Sequence, residues 1–179
     1  MMILWIVLGA IGGLIVLVLL LAAVTRKDYN LERSIVVDKN LEDTYHFISS
    51  IETQDSWSKW ANLDPNMKKQ YIGTDRTVGF ISKWDSDHKN VGSGEQEIKK
   101  LVPNEKVETE MRFLKPFKSV AHGYFTTTAV NENQTKVAWG FKARMPYPFN
   151  LMMVMMNMEK MLGNDFEEGL ANMKKKIES

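Results

Sequence analysis

The chain of 179 residues contains no cysteine. Disulfide bridges, thiolate nucleophiles and Cys-ligated zinc are thereby excluded, and the composition agrees with a reducing compartment without requiring one. An excess of one charge is missing too: 23 Lys and Arg stand against 22 Asp and Glu, a formal balance of +1. Nucleic-acid modules carry a basic surplus on one face, so no nucleic-acid partner is expected. The Lys174-Lys175-Lys176 run reads as a solvated helix end that favours the helix dipole. Neither an HExxH nor a Gly-x-Ser-x-Gly pattern occurs. His46, His88 and His122 stand apart, with no evident partner to set a tautomer, and are read as structural. No metal, cofactor or catalytic group is expected, and an enzymatic role is left open.

One long hydrophobic run is present. Residues 1–24 carry no charged side chain. A helix of that length covers roughly 36 Å, against about 30 Å for the hydrocarbon layer. Residues 1–25 are read as a transmembrane helix. A cleaved signal peptide fits less well, because a basic start is missing, the run exceeds an h-region, and LAAVT is a poor cleavage site. Trp5 suits an interfacial anchor, and Gly9 with Gly13 forms a GxxxG that is read as part of a plain anchor. Arg26 and Lys27 follow the span with nothing basic ahead of it, which places the remainder of the chain on the cytoplasmic side.

Residues 28–179 read as a second unit, without internal repeats. YNLERSIVVD (29–38) is a β-branched strand, Asn40 an N-cap for a helix to about Ile51, and 53–61 a short helix with Trp57 and Trp60 at i, i+3. The period then becomes two. Strands are expected at 67–73, 77–85, 94–102, 106–114, 119–130 and 135–144, with turn chemistry between them. Short connections imply antiparallel neighbours. Pro146 and Pro148 end the last strand, Asn150 is a candidate cap, and a helix spans about 151–177. The class is α+β: a curved sheet around a closing helix.

Alternation assigns the faces. Val107, Thr109, Met111 and Phe113 share one parity, as do Val137, Trp139, Phe141 and Ala143, each set interleaved with charge. Val78, Phe80, Ser82 and Trp84 are placed inward, as are Ala121, Gly123, Phe125 and Thr127. On the long helix Leu151, Met155, Met158, Leu162, Phe166, Gly169 and Met173 form a stripe, opposite Lys160, Asn164, Glu167 and Lys175. Six of the twelve methionines fall within residues 150–163, a run apolar nearly all round and adaptable to partners of varied shape. Periodicity alone favours a close-packed core. The alternative is that small inward residues such as Ser82, Thr109, Gly123 and Thr127, set among large aromatics, leave a pocket.

The segments RSIVVDKNLEDTYHFIS, DSWSKWANLDP, VGSGEQEI to LVPNEKV, TKVAWGF and FNLMMVMMNMEKMLGNDFEEGLANMKKK, in that order over about 29–176, resemble the START-like or SRPBCC superfamily, in its polyketide cyclase/dehydrase and lipid transport branch. The pattern departs at Asn40, where the family usually has proline. The resemblance implies a helix-grip fold: a seven-stranded curved antiparallel sheet, two short helices and a long C-terminal helix enclosing a cavity for apolar small molecules. On that basis Trp57, Trp60, Phe80, Trp84, Met111, Phe113, Trp139, Met155, Met158 and Leu162 are expected to line or gate a ligand site. Arg33 shares the inward parity, so it either snorkels or offers a guanidinium to a carboxylated ligand. The leading expectation is membrane-anchored binding or transport of a lipid-like molecule. The alternatives are a polyketide cyclase-like enzyme using the same cavity and a chaperone-activator-like interaction module. The oligomeric state is not legible.

The charge asymmetry around the apolar run has a direct test. In sealed right-side-out vesicles, a tag after Ser179 is expected to resist external protease and a tag before Met1 to be removed; the reverse pattern would invert the assignment.

Overall fold

The structure, a computed structural model, describes residues 1–151 and 158–179. It begins with helix α1 (Met2–Val24), long and apolar enough to cross a membrane and exposed along its length apart from Ala22. Strand β1 (Asp28–Val37) follows, then three short helices: α2 (Leu41–Ile48), α3 (Ile51–Gln54) and α4 (Lys59–Leu63). Six further strands succeed one another: β2 (Lys68–Ile72), β3 (Ile81–Asp85), β4 (Ser93–Val102), β5 (Lys106–Lys115), β6 (Ser119–Asn131) and β7 (Gln134–Arg144). Helix α5 (Met158–Glu178) closes the described chain.

All seven strands pair antiparallel in one sheet, in the order β1-β7-β6-β5-β4-β3-β2. The β2–β7 meander follows from its short turns, and β1 closes onto β7 because α2, α3 and α4 carry the chain across the concave face. Helix α5 lies along β1 and touches α4. The seven-stranded antiparallel sheet and the closing helix are as the resemblance implied, with three short helices between β1 and β2 in place of two.

Local capping explains the helix boundaries. Asn40 Oδ1 accepts from the Asp43 amide at 2.8 Å, and Asn40 Nδ2 donates to the Asp43 carboxylate at 2.8 Å. Ser50 caps anew, accepting from the Thr53 amide at 2.8 Å, so α2 stops at Ile48 instead of reaching Ile51. The helix expected over 53–61 is divided for the same reason: Ser58 accepts from the Ala61 amide and starts α4. Each hydroxyl offers the backbone a competing partner and resets the helix.

A second correction concerns the strand expected at 77–85. It begins only at Ile81, and Val78, placed inward by parity, is 62% exposed. Gly79 has φ +90°, a conformation that breaks the alternation just before Phe80, which is buried. The residues that Asn150 was expected to cap lie outside the described ones. The buried side-chain amide of Asn150 donates to the carbonyls of Ala22 at 2.8 Å and Thr25 at 2.9 Å, fastening the end of α1 to the chain ahead of α5.

The core gathers Val37, Ile48, Trp57, Val107, Phe125, Val137, Leu170, Met173 and Ile177, with a satellite of Ile51, Phe80 and Ile98 joined to it through Leu101. Burying each of the larger side chains favours folding by about 1.5–3 kcal/mol. Helix α5 is also held by charge. Lys59 Nζ bridges Asp165 at 2.7 Å and Glu168 at 2.6 Å, and Arg33 Nε meets Glu167 at 2.9 Å. On the convex face of the sheet Arg112 binds Glu95 at 2.6 Å, Glu97 at 2.8 Å and also Glu110.

Two outcomes follow. A β-carbon at Gly169 would lie 2.8 Å from Trp139 Cζ3, so Gly169→Val is expected to lower stability by about 1–3 kcal/mol in denaturant titration of the full chain. Hydrogen bonds from Arg112 hold the Glu95 and Glu97 carboxyls below the usual glutamate range. Their contribution is present above the unfolded value of about 4.3 and is lost as pH falls through the folded ones. The melting temperature should drop with acidification, and in Arg112→Met it should start lower at neutral pH and decline less, because the clustered carboxylates are then relieved by protonation.

Candidate ligand cavity

Between the concave face of the sheet, α3, α4 and α5 lies a cavity of about 280 Å³. The sheet contributes Ser82 and Trp84 from β3, Gln96 from β4, Thr109, Met111 and Phe113 from β5, Gly123 and Phe125 from β6, and Trp139 and Phe141 from β7. Ile51 and Gln54 of α3, Trp57 of the link after it, and Trp60 and Ala61 of α4 close it, with Leu162 and Phe166 from α5.

Trp139 organises the aromatic part. Its ring stacks on Phe166 with centroids 4.0 Å apart and on Phe125 at 5.3 Å. Trp57 and Trp60 meet it edge-on at 5.5 and 6.1 Å. Offset stacks and edge contacts are the favourable arrangements of these quadrupoles and fix the ring planes. Trp57 and Trp60 therefore converge on one partner although the helix expected to join them is broken between them. Across the cavity Trp84 meets Phe113 edge-on at 6.0 Å.

A small uncharged polar patch interrupts this lining. Gln96 Nε2 donates to Thr109 Oγ1 at 3.3 Å and to Gln54 Oε1 at 3.4 Å. Thr109 Oγ1 in turn donates to the Gly123 carbonyl at 3.4 Å. These are long, weak bonds that a better partner would displace at little cost. The absence of a side chain at Gly123 leaves the room: a β-carbon there would sit 2.9 Å from Thr109 Oγ1 and 3.1 Å from Met111 Cε.

The only ionisable groups of Asp, Glu, Lys, Arg or His type in the described lining are Asp55 and Lys69, and they form an ion pair at 3.1 Å. Tyr71 donates to the same Asp55 carboxylate at 2.6 Å, and burial, reinforced by that hydrogen bond, pushes the phenol well above its ordinary value. Charge at this wall is thus mutually neutralised. His46 and His122 are exposed and His88 is half-buried in the 86–92 turn, none of them in the lining. Among the described residues no group of three His, Asp or Glu side chains is placed to hold a metal ion.

Of the residues nominated from sequence, Trp57, Trp60, Trp84, Met111, Phe113, Trp139 and Leu162 line this space. Phe80 lies outside the lining, packed with Ile51 and Ile98 and stacked on Tyr71 at 6.0 Å. Arg33 also lies outside the lining. Its guanidinium crosses α5 at Gly163, where a β-carbon would come 2.5 Å from Nη2, and ends on Glu167. Met155 and the side chain of Met158 fall outside the described residues, as does most of the methionine-rich run. Sequence reading passed over Gln96 and Gln54. Gln96 had a usable signal, since it shares parity with Gly94 and Ile98 while Glu95 and Glu97 point outward. Gln54 had none, because its inward position depends on how α3 is set against the sheet.

A family model described as polyketide cyclase/dehydrase and lipid transport matches residues 29–178. Among solved structures, norcoclaurine synthase from Thalictrum flavum, in complex with dopamine and hydroxybenzaldehyde, aligns at TM-score 0.64 with 10% identity over 87% of this chain and 89% of its own. A structural-genomics protein from Nitrosospira multiformis aligns at TM-score 0.60 with 17% identity over 83% and 96%. The di-domain ARO/CYC StfQ from the steffimycin biosynthetic pathway aligns at TM-score 0.59 with 11% identity over 83% of this chain and 50% of that one. At such identities the likeness is one of fold. No curated protein matches the chain by sequence.

Proposed function

The chain belongs to the polyketide cyclase/dehydrase and lipid transport family, and from that premise we propose that it binds a neutral, mostly apolar small molecule while tethered to a membrane by α1. Residues 1–25 serve as a single-pass anchor and residues 28–179 as the ligand-binding domain, on the cytoplasmic side by the charge of Arg26 and Lys27. The observation that carries the reading is the cavity: about 280 Å³ of space under Trp139, near the roughly 300 Å³ lower end of small-molecule sites. The aromatic walls supply apolar contact area, and Gln96, Gln54 and Thr109 supply the few directional contacts that orient a carbonyl or hydroxyl on the guest.

Binding is favoured over catalysis because the lining's Asp55 and Lys69 satisfy each other. A cyclase-type reaction needs a group free to take or give a proton at the reacting atom, and a paired rim carboxylate is poorly placed to do so. Neutral lining also argues against a carboxylated guest, since burying its charge without a partner is costly.

The experiment is native mass spectrometry of the full chain released from detergent micelles, with extraction of any bound species. The wild type is expected to carry a small apolar molecule. Ser82→Leu, which fills the cavity from β3, is expected to lose most of it while keeping the same circular dichroism and melting temperature within a few degrees. An empty wild type, or equal occupancy in both proteins, would overturn the reading.

A further inference from the structure

The antiparallel register gathers one end of every strand at one pole of the sheet. That pole runs from Asp28 at the start of β1 through Arg144, Ser119, Lys115, Ser93 and Asp85 to Lys68. It is also where α1 ends: β1 starts immediately beyond Arg26 and Lys27, and Asn150 binds the last carbonyls of the helix. The opposite pole holds Val37, Ile48 and Ile177 and is filled by core side chains. The cavity lies toward the α1 pole, with Met67 ahead of β2 and Asn90 and Val91 of the 86–92 turn in its wall.

This pole carries a cluster of uncovered apolar side chains. Phe117, in the turn between β5 and β6, is 79% exposed, and Phe149, between β7 and α5, is 61% exposed. Leu114, Val120 and Tyr147 are exposed beside them in sequence. Lys118 follows Phe117, Lys115 before it is paired with Asp85 at 3.1 Å, and Arg26 and Lys27 stand at the foot of α1. Protruding aromatics interleaved with Lys and Arg are the composition of the membrane interface, where rings reach the acyl boundary and cations meet headgroup phosphates. Scattered apolar residues elsewhere on the surface need no such account, but these share one pole with a helix that would leave the hydrocarbon layer within a few residues of them.

We propose that the α1 pole is seated in the lipid interface, with Phe117 and Phe149 immersed in it, so that the cavity exchanges its guest with the bilayer and not with bulk water. The occupant of the exposed cluster is the phospholipid surface itself. This inference rests on the anchor reading of α1, and its test separates the two.

Because the chain has no cysteine, single introduced thiols label cleanly. Four full-length variants, Phe117→Cys, Phe149→Cys, Val78→Cys and Leu14→Cys, each carrying the fluorophore NBD, are reconstituted in phosphatidylcholine vesicles with and without nitroxide-bearing lipid, and iodide serves as the aqueous quencher. The labels of the Phe117→Cys, Phe149→Cys and Leu14→Cys proteins are expected to lose emission to the lipid nitroxide and to resist iodide, while the Val78→Cys label does the opposite. Lipid quenching of the Leu14→Cys label with iodide quenching of both aromatic-site labels would overturn the interfacial seat and leave the anchor standing. Failure of lipid to quench the Leu14→Cys label would overturn the anchor, and the seat with it.

Discussion

The placement of the Trp139 ring is the constraint on which the rest depends. It is clamped between Phe125 on the neighbouring strand and Phe166 on α5, met edge-on by Trp57 and Trp60, and admitted by the missing side chain of Gly169. One indole thereby couples the sheet, the short helices and the closing helix. Because aromatic contacts fix both distance and plane, they set how far α5 stands from the sheet toward its N-terminal half. At the other end of the same helix Leu170, Met173 and Ile177 share one buried cluster with Val37 and Val137. The interior is therefore solid at one pole and hollow at the other.

Charge is sorted consistently with that division. The carboxylates around Arg112 lie on the convex face, and those of Asp165, Glu167 and Glu168 are taken up by Lys59 and Arg33 along the flank of α5. Ion pairs at these half-exposed positions contribute little stability singly. Their greater effect is to keep charge out of the cavity, where it would be poorly solvated. What remains inside is a weakly bonded amide and hydroxyl patch, which costs little to leave idle and rewards a guest that can complete it.

Family membership and fold likeness agree with a cavity protein and leave its guest open, because one fold serves many chemistries through the side chains grafted on it. The Asn150 contact joins the two parts of the chain. By bonding the last carbonyls of α1, it ties the apolar helix to the pole where the cavity lies.

Much of this was legible in the sequence because periodicity and capping are local. The period-two segments placed the strands to within a few residues except at Gly79, whose positive φ disrupted the pattern ahead of Phe80 and left Val78 outside. The expected helices ran through Ser50 and Ser58, and only the packed structure made those hydroxyls caps that break the run, so that Trp57 could turn into the core. Parity alone could not separate Phe80 or Arg33 from the lining, since it reports a face and says nothing of depth or of the partner that Glu167 supplies across α5. Alternation, turn chemistry and one uncharged run thus determined the class, the strand order along the chain and the apolar helix. Tertiary structure alone decided where the interior stays hollow, because that depends on distances between residues far apart in sequence, such as Trp139, Phe166 and Trp57, which no local pattern encodes.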